Sequence, residues 1–282
     1  MPNEQSPIEN SEHYAKLPSE VQERLAPVRP YDDVGFEKLR DSYNFELTRD
    51  RRVVFTRLIL NECLRIEKET GTPPNVLDVG CGKGIGIEIN FTKAVAGFAN
   101  ELWGIEPDEG IDAAPGVFTN YQHALMETAE LPEAHFDIVY SYMVMEHVAD
   151  PVAYFSAVAR CLKPGGIHMF MTPNGRHYFA IFTKTLKSLK VEERVLRIVR
   201  KEEDVEGYHY PVQYQCNTPK QISTAGVKSG FPKNEIAFIE EDGPRVYMTG
   251  PLRPLFHLLK FKRRVYKKQS HLLTLIARQV RG

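Results

Sequence analysis

Two hydrophobic periods alternate along the chain, and their order predicts its architecture. Residues 36–70 carry apolar side chains at helical spacing, with Val54, Leu58, Cys63 and Leu64 in the later stretch, until Gly71-Thr72-Pro73-Pro74 stops the helix. Asn75–Gly80 is a short Val/Leu run between proline and glycine, the pattern of a strand buried on both faces of a parallel sheet. Similar runs stand at Leu102–Glu106, Gly116–Tyr121, Phe136–Ser141 and Gly166–Thr172. Helical segments fit between several of them, notably Pro151–Leu162, which runs into Lys163-Pro164-Gly165-Gly166. Strands alternating with helices predict an α/β class fold: a Rossmann-like, doubly wound, mostly parallel sheet.

The rhythm changes after Pro173. Residues 176–215 read as a helical insertion, basic over much of its length. Glu235–Glu240 and Arg245–Met248 read as the strands of an antiparallel C-terminal hairpin, turning at Glu241-Asp242-Gly243-Pro244. Residues 251–282 hold nine Lys/Arg and no Asp/Glu and read as a basic amphipathic helical tail. Residues 1–35 are polar and proline-punctuated, a loosely ordered arm with room for one short helix. The expected organisation is therefore an arm (1–35), a helical region (36–73), a ligand-binding α/β domain (74–250) and the tail (251–282).

Composition adds exclusions. At 42% hydrophobic and 26% charged residues the chain is ordinary for a globular protein, and a net charge of −1 gives no bulk attraction to nucleic acid, so no specific nucleic-acid partner is predicted. Cys63, Cys81, Cys161 and Cys216 form no CxxC pair, which argues against a zinc ribbon or a disulfide framework and for a reducing, cytoplasmic setting. The first residues lack the pattern of a signal peptide, and no apolar run is long enough to span a bilayer. Local charge is another matter. Residues 181–201 and 251–282 alternate apolar and basic side chains, which suits a solvated basic face, an anionic acceptor, or peripheral contact with the inner membrane surface.

The chemistry centres on Asp78-x-Gly80-x-Gly82-x-Gly84, where a strand runs into a glycine-rich turn. Glycine lets the backbone approach a ligand closely, and a helix N-terminus expected directly behind Gly80, Cys81, Gly82 and Lys83 supplies free N–H groups. The dinucleotide fingerprint fails in both registers, because Ile85 or Ile87 stands where its third glycine belongs, and no Gly-Lys-Ser/Thr makes a phosphate loop. Asp78 is placed to orient the turn and reach a ligand amino group. Glu106, ending the second strand, is placed to accept from two ribose hydroxyls. Either acid alone also suits a cap or a solvated strand end; together with the glycines they point to a nucleoside.

At these residues the chain resembles class I S-adenosylmethionine-dependent methyltransferases. Val76–Gly84 is similar to their first motif, and Trp103-Gly104-Ile105-Glu106-Pro107 to their second strand with its ribose-binding acid. Glu127-Thr128-Ala129-Glu130-Leu131-Pro132 resembles the adenine-contacting Asp-Ala-x-x-Leu-Pro, with Glu-Thr in place of Asp-Ala. Phe136–Ser141, Met145-Glu146-His147-Val148-x-Asp150-Pro151 and Leu162-Lys163-Pro164-Gly165-Gly166 follow in family order. Thr172-Pro173-Asn174 resembles a segment of the type-11 methyltransferase group. The resemblance implies S-adenosylmethionine as cofactor, bound by Asp78, Gly80, Cys81, Gly82, Glu106, Pro107, Glu127, Thr128, Ser141 and Tyr142.

Methyl transfer to an oxygen needs alignment, a dry site and removal of a proton. Glu146 and His147, just past the fourth strand, are the first candidates for that work; a role in structuring the loop is the alternative. His177 and His209 are the further catalytic candidates, and His123 reads as structural. Met143-x-x-Glu146-His147 resembles the Glu-x-x-Glu-His segment of ubiquinone-pathway O-methyltransferases and small-RNA 2′-O-methyltransferases, which with a later histidine is associated with a divalent metal. A later histidine, His209, is present, but Met143 replaces the first carboxylate, so a divalent metal is an alternative that is not favoured and no metal ligand is assigned. The resemblance thus implies methyl transfer from S-adenosylmethionine to a small-molecule, glycan or lipid-linked acceptor, with oxygen preferred. RNA 2′-O-methylation and a non-catalytic S-adenosylmethionine-binding partner or sensor module are the competing readings.

Overall fold

A computed structural model describes residues 6–26, 35–43, 50–177, 211–240 and 253–282. Two short helices, α1 (Glu12–Lys16) and α2 (Ser19–Leu25), precede α3 (Phe36–Asp41) and the long α4 (Arg51–Thr70). The Asp50 side chain caps α4 by accepting from Arg52 N, and Gly71 ends it in the left-handed region at φ 80°. Then come β1 (Asn75–Val79), α5 (Ile89–Phe98), β2 (Glu101–Ile105), β3 (Asn120–Gln122) and β4 (Phe136–Tyr142). Helix α6 (Pro151–Cys161), capped by Asp150 with proline in its first turn, leads into β5 (Leu162–Pro173). The described C-terminal part holds α7 (Pro219–Lys228), β6 (Lys233–Ile239), α8 (Arg253–Tyr266), a 3₁₀ turn (Gln269–His271) and β7 (Thr274–Val280).

The strands form one sheet in the order β3-β2-β1-β4-β5-β7-β6. The first five are parallel, and β7 runs antiparallel to both β5 and β6. Strand order reverses between β1 and β4, the switch point outside whose carboxyl ends such sheets bind ligands. Alternate strand residues serve opposite faces: Val76, Ile138, Tyr140, Met169 and Ile276 join the core under α4 and α5, while Leu77, Val139, Phe170 and Leu275 join the core under α6 and α7. The expected doubly wound class is therefore present.

Among the described residues the antiparallel C-terminal pair is β6 with β7, from Lys233↔Val280 to Ile239↔Thr274; the expected turn 241–244 and second strand Arg245–Met248 lie outside the described residues. Two expectations are corrected. Residues 251–282 are helical only in part: α8 covers Arg253–Tyr266, but β7 is inserted into the sheet with Leu275, Ile276 and Ala277 fully buried. Nor is 1–35 a loose arm throughout: Ile8, Val21 and Leu25 are wholly buried, and Arg57 of α4 ties the arm down through Glu9 (2.7 Å), Ser6 and the Leu25 carbonyl. Of the expected insertion 176–215 only 176–177 and 211–215 are described, and the basic stretch 181–201 lies outside.

Candidate functional site

The site is built at the carboxyl ends of β1, β2, β4 and β5. Past β1 the chain enters the glycine loop, but no helix starts there. The loop runs on to Glu88 and α5 begins at Ile89, so the expected helix N-terminus does not lie under Gly82. The positive backbone angles at Gly80, Gly82, Gly84 and Gly86 make the longer excursion. At Gly84 the obstacle is backbone: at φ +96° a Cβ would stand 2.7 Å from Ile89 Cα and 2.9 Å from Glu88 O, so only glycine fits. Gly80 and Cys81 both donate their N–H to the Ile105 carbonyl, at 2.8 and 3.1 Å, which fastens the loop to the end of β2.

Glu106 follows directly and is 7% exposed. Its Oε2 accepts from Gly82 N at 2.9 Å and its Oε1 from Asp108 N at 3.0 Å, so both oxygens are aimed by backbone donors and keep further lone pairs. Pro107, half-buried, continues this turn. Asp78 lies beneath the loop at 2% exposure, with the Tyr140 hydroxyl donating to its Oδ2 at 2.8 Å. Burial pushes its carboxyl up to about 7, against the Tyr140 hydrogen bond, and the Glu106 charge adds to the rise. Cys81 is buried too, and burial with the Asp78 and Glu106 charges raises its thiol well above the usual range.

Glu127 and Thr128 are exposed in a turn several residues past β3, and the Thr128 hydroxyl bonds back to Leu125 O. The residues that actually leave the sheet edge at β3 are His123 and Ala124, followed by the half-exposed Leu125. His123 packs edge-on against Tyr121, ring centroids 5.1 Å apart. Ser141, near the end of β4, is fully buried. Tyr142 reaches the rim: its hydroxyl accepts from Arg51 Nε at 3.0 Å, and its ring lies 3.4 Å from the position of a Cβ on Gly86.

The segment after β4 closes the site on the side of β5. A Cβ on Gly80 would stand 2.5 Å from Val144 Cγ2, so the glycine loop and the 143–147 turn are in direct contact. Glu146 lies in that turn at 5% exposure. Its Oε2 accepts from the Thr172 hydroxyl at 3.0 Å, and Thr172 accepts from Asn217 Nδ2 at 2.7 Å. Its backbone carbonyl accepts from Gln213 N (2.7 Å) and Tyr214 N (3.1 Å), which ties the turn to the segment before α7. Burial raises the Glu146 carboxyl to about 7, opposed by the Thr172 hydrogen bond and the Arg51 charge. His147 is half-buried, its Nδ1 3.4 Å from Pro211 O. His177 is buried in the turn that Asn174 closes, and His209 lies outside the described residues. Among the described residues no group of three His, Cys, Asp or Glu side chains is placed to hold a metal.

Sequence reasoning missed Arg51, Thr172 as the partner of Glu146, and Asn217. Arg51 carried no signal beyond opening a helix. Asn217 stands 45 residues from Thr172, and nothing local distinguishes it from any loop asparagine. Asn174, of the Thr172-Pro173-Asn174 segment, donates to the Ser270 and Leu272 carbonyls and fixes the entry to β7.

A family model described as a methyltransferase domain matches residues 47–222. A probable S-adenosylmethionine-dependent methyltransferase of Mycolicibacterium smegmatis is 32% identical over 103 residues, covering 36% of this chain and 38% of that protein. A ubiquinone biosynthesis O-methyltransferase of Ruegeria pomeroyi is 34% identical over 106 residues, covering 35% of this chain and 41% of that protein. The matched segment thus spans about two fifths of the length of these relatives. Among solved structures, a SAM-dependent methyltransferase of Archaeoglobus fulgidus aligns at 16% identity and TM-score 0.49, over 80% of this chain and 94% of that one.

Proposed function

The chain belongs to the methyltransferase-domain family, and from that premise we propose that it transfers a methyl group from S-adenosylmethionine to the oxygen of a small-molecule or lipid-linked acceptor, with Glu146 taking the proton. The cofactor's sulfonium supplies an activated methyl carbon. The residues on the edge fit such a molecule: Gly80, Gly82 and Gly84 leave the loop backbone bare at every second residue, and Glu106 presents oriented carboxylate oxygens suited to a ribose diol. Asp78, Gly80, Cys81, Gly82, Glu106, Pro107 and Tyr142 are the proposed cofactor contacts. Leu125 is added as an apolar neighbour for the adenine, in preference to Glu127 and Thr128, and Ser141 is left to the core.

The observation that carries the oxygen reading is Glu146. A hydroxyl acceptor must lose a proton as the methyl arrives, and a base works best when its pKa lies near the working pH. Burial has brought this carboxyl to about 7, and Thr172, itself held by Asn217, fixes the orientation of one of its oxygens. The O-methyltransferase relatives support the same choice of acceptor atom. His147, in the turn after β4, and His177, in the turn after β5, are proposed as acceptor-pocket residues.

The test is a screen of phenolic, catecholic and lipid-linked hydroxyl acceptors with labelled S-adenosylmethionine. An accepted hydroxyl compound should lose roughly 10²–10⁴-fold in kcat with Glu146→Gln, the usual weight of a general base. Methylation confined to nitrogen or carbon, or a Gln variant of undiminished kcat, overturns the proposal.

A further inference from the structure

Helix α8 carries an apolar stripe that the two cores leave uncovered. Leu258, Phe261 and Val265 are 63%, 65% and 59% exposed. Their spacing of three and four residues places them along one line of the helix, within roughly 60° of one another at about 100° per residue. Of the eight large apolar side chains exposed among the described residues, four belong to α8, Tyr266 being the fourth; the others stand singly or apart. A concentrated apolar stripe, unlike a lone exposed leucine, marks a contact surface.

The charges say what kind. Lys262 projects on one flank of the stripe and Arg264 on the other, both exposed, and Lys267 and Lys268 follow at the end of the helix. Residues 251–282 contain no Asp or Glu. Protein interfaces tend to exclude lysine from their apolar centres. An apolar stripe bordered by cations on both sides instead matches the boundary between acyl chains and anionic headgroups, where long basic side chains reach the phosphates.

The position of α8 gives the contact a purpose. The helix lies in the connection from β6 to β7, and Ile239, Thr274 and Pro173 meet at one end of the sheet. That end is where the parallel strands finish and the candidate site lies. The 3₁₀ turn behind α8 is held there by Gln269 Nε2 donating to Ser42 O, at 2.8 Å, and by Asn174, two residues past the Thr172 that orients Glu146.

We propose that α8 docks on an anionic lipid bilayer and so turns the acceptor side of the site towards the membrane. A lipid-borne acceptor follows if the methyltransferase reading above holds; the docking itself does not depend on that reading.

The experiment is co-sedimentation of the full chain with vesicles of phosphatidylcholine alone and of phosphatidylcholine with 30 mol% phosphatidylglycerol, in low and high salt. The expected result is binding to the anionic vesicles only, weakened by salt, since each cation near such a surface strengthens partitioning about fivefold. L258D/F261D/V265D and K262E/R264E/K267E/K268E should each lose at least tenfold in partitioning, with unchanged circular dichroism and S-adenosylmethionine affinity. No binding to anionic vesicles, or binding that both variants retain, overturns docking. So does a concentration-dependent dimer abolished by the triple variant, which would assign the stripe to a second copy of the chain. Docking with no turnover of any acceptor would leave α8's role intact and count against the methyltransferase reading alone.

Discussion

Replacing Glu146 with glutamine should stabilise the ligand-free protein at alkaline pH while removing its proton acceptor. The carboxyl is held at about 7 in the folded state against 4.5 ordinarily, chiefly by burial. Each tenfold change in acidity is about 1.4 kcal/mol, so keeping this group ionised in the fold costs about 3 kcal/mol. The folded pKa is raised, so the fold binds the proton more tightly than the unfolded chain. The stability is therefore fully present below pH 4.5 and is lost as pH rises to about 7. Glutamine has no charge to bury and keeps an oxygen to accept from Thr172. Asp78, also raised to about 7 by burial, contributes the same trend in both proteins and cancels in the comparison. Thermal unfolding of wild type and Glu146→Gln from pH 5 to pH 8 is the assay. At pH 8 the variant should gain about 3 kcal/mol, roughly 6–12 °C in Tm for a domain of about this size. At pH 5 the two should agree within about 1 kcal/mol. A gap of the same size at every pH, or a variant less stable at pH 8, refutes the assignment of a buried carboxyl titrating near neutrality.

Three further outcomes follow from the same geometry. Thr172→Val removes the hydroxyl that favours ionised Glu146, so the limb of the pH–rate profile on which activity rises should move to higher pH, with about 1–3 kcal/mol lost from stability because Asn217 also loses a partner; an unmoved limb separates Thr172 from the base. Gly84→Ala should cost about 1–3 kcal/mol in a denaturant titration and weaken S-adenosylmethionine binding, because its Cβ meets backbone at a positive φ; a variant that binds and unfolds like wild type contradicts the described loop. Ending the chain at Gly250 should prevent folding altogether, since β7 lies between β5 and β6; a soluble, cooperatively melting truncation would contradict that sheet order.

The parts legible in the sequence are those whose signal is local. The runs at 75–80, 102–106 and 136–141 became β1, β2 and β4 because residues buried on both faces must be apolar one after another. Motif spacing places Asp78 in β1, Glu106 directly after β2 and Glu146 in the turn after β4, and the structure has them there. What escaped was decided at long range. Leu272, Leu273, Leu275 and Ile276 follow a cationic amphipathic helix so closely that they read as its continuation. Only pairing with β5 and β6, many residues earlier in the chain, makes Thr274–Val280 a strand. Gly116–Tyr121 was placed too early because Val117 and Phe118 pack beneath the sheet edge from a turn, and pairing with β2 starts only at Asn120. The helix behind the glycine loop was placed too close to Gly82 because sequence does not say how far a run of left-handed residues carries the chain before Ile89.

The most direct test is calorimetric titration of the full chain with S-adenosylmethionine, wild type against Glu106→Ala. Hydrogen bonds to a charged partner contribute about 1.5–3 kcal/mol, so losing the carboxylate should weaken binding by at least tenfold. Wild type that binds and an alanine variant that binds at least tenfold more weakly is the predicted result. Equal affinity, or no binding by the wild type, would contradict the placement of the methyl donor between the glycine loop and Glu106.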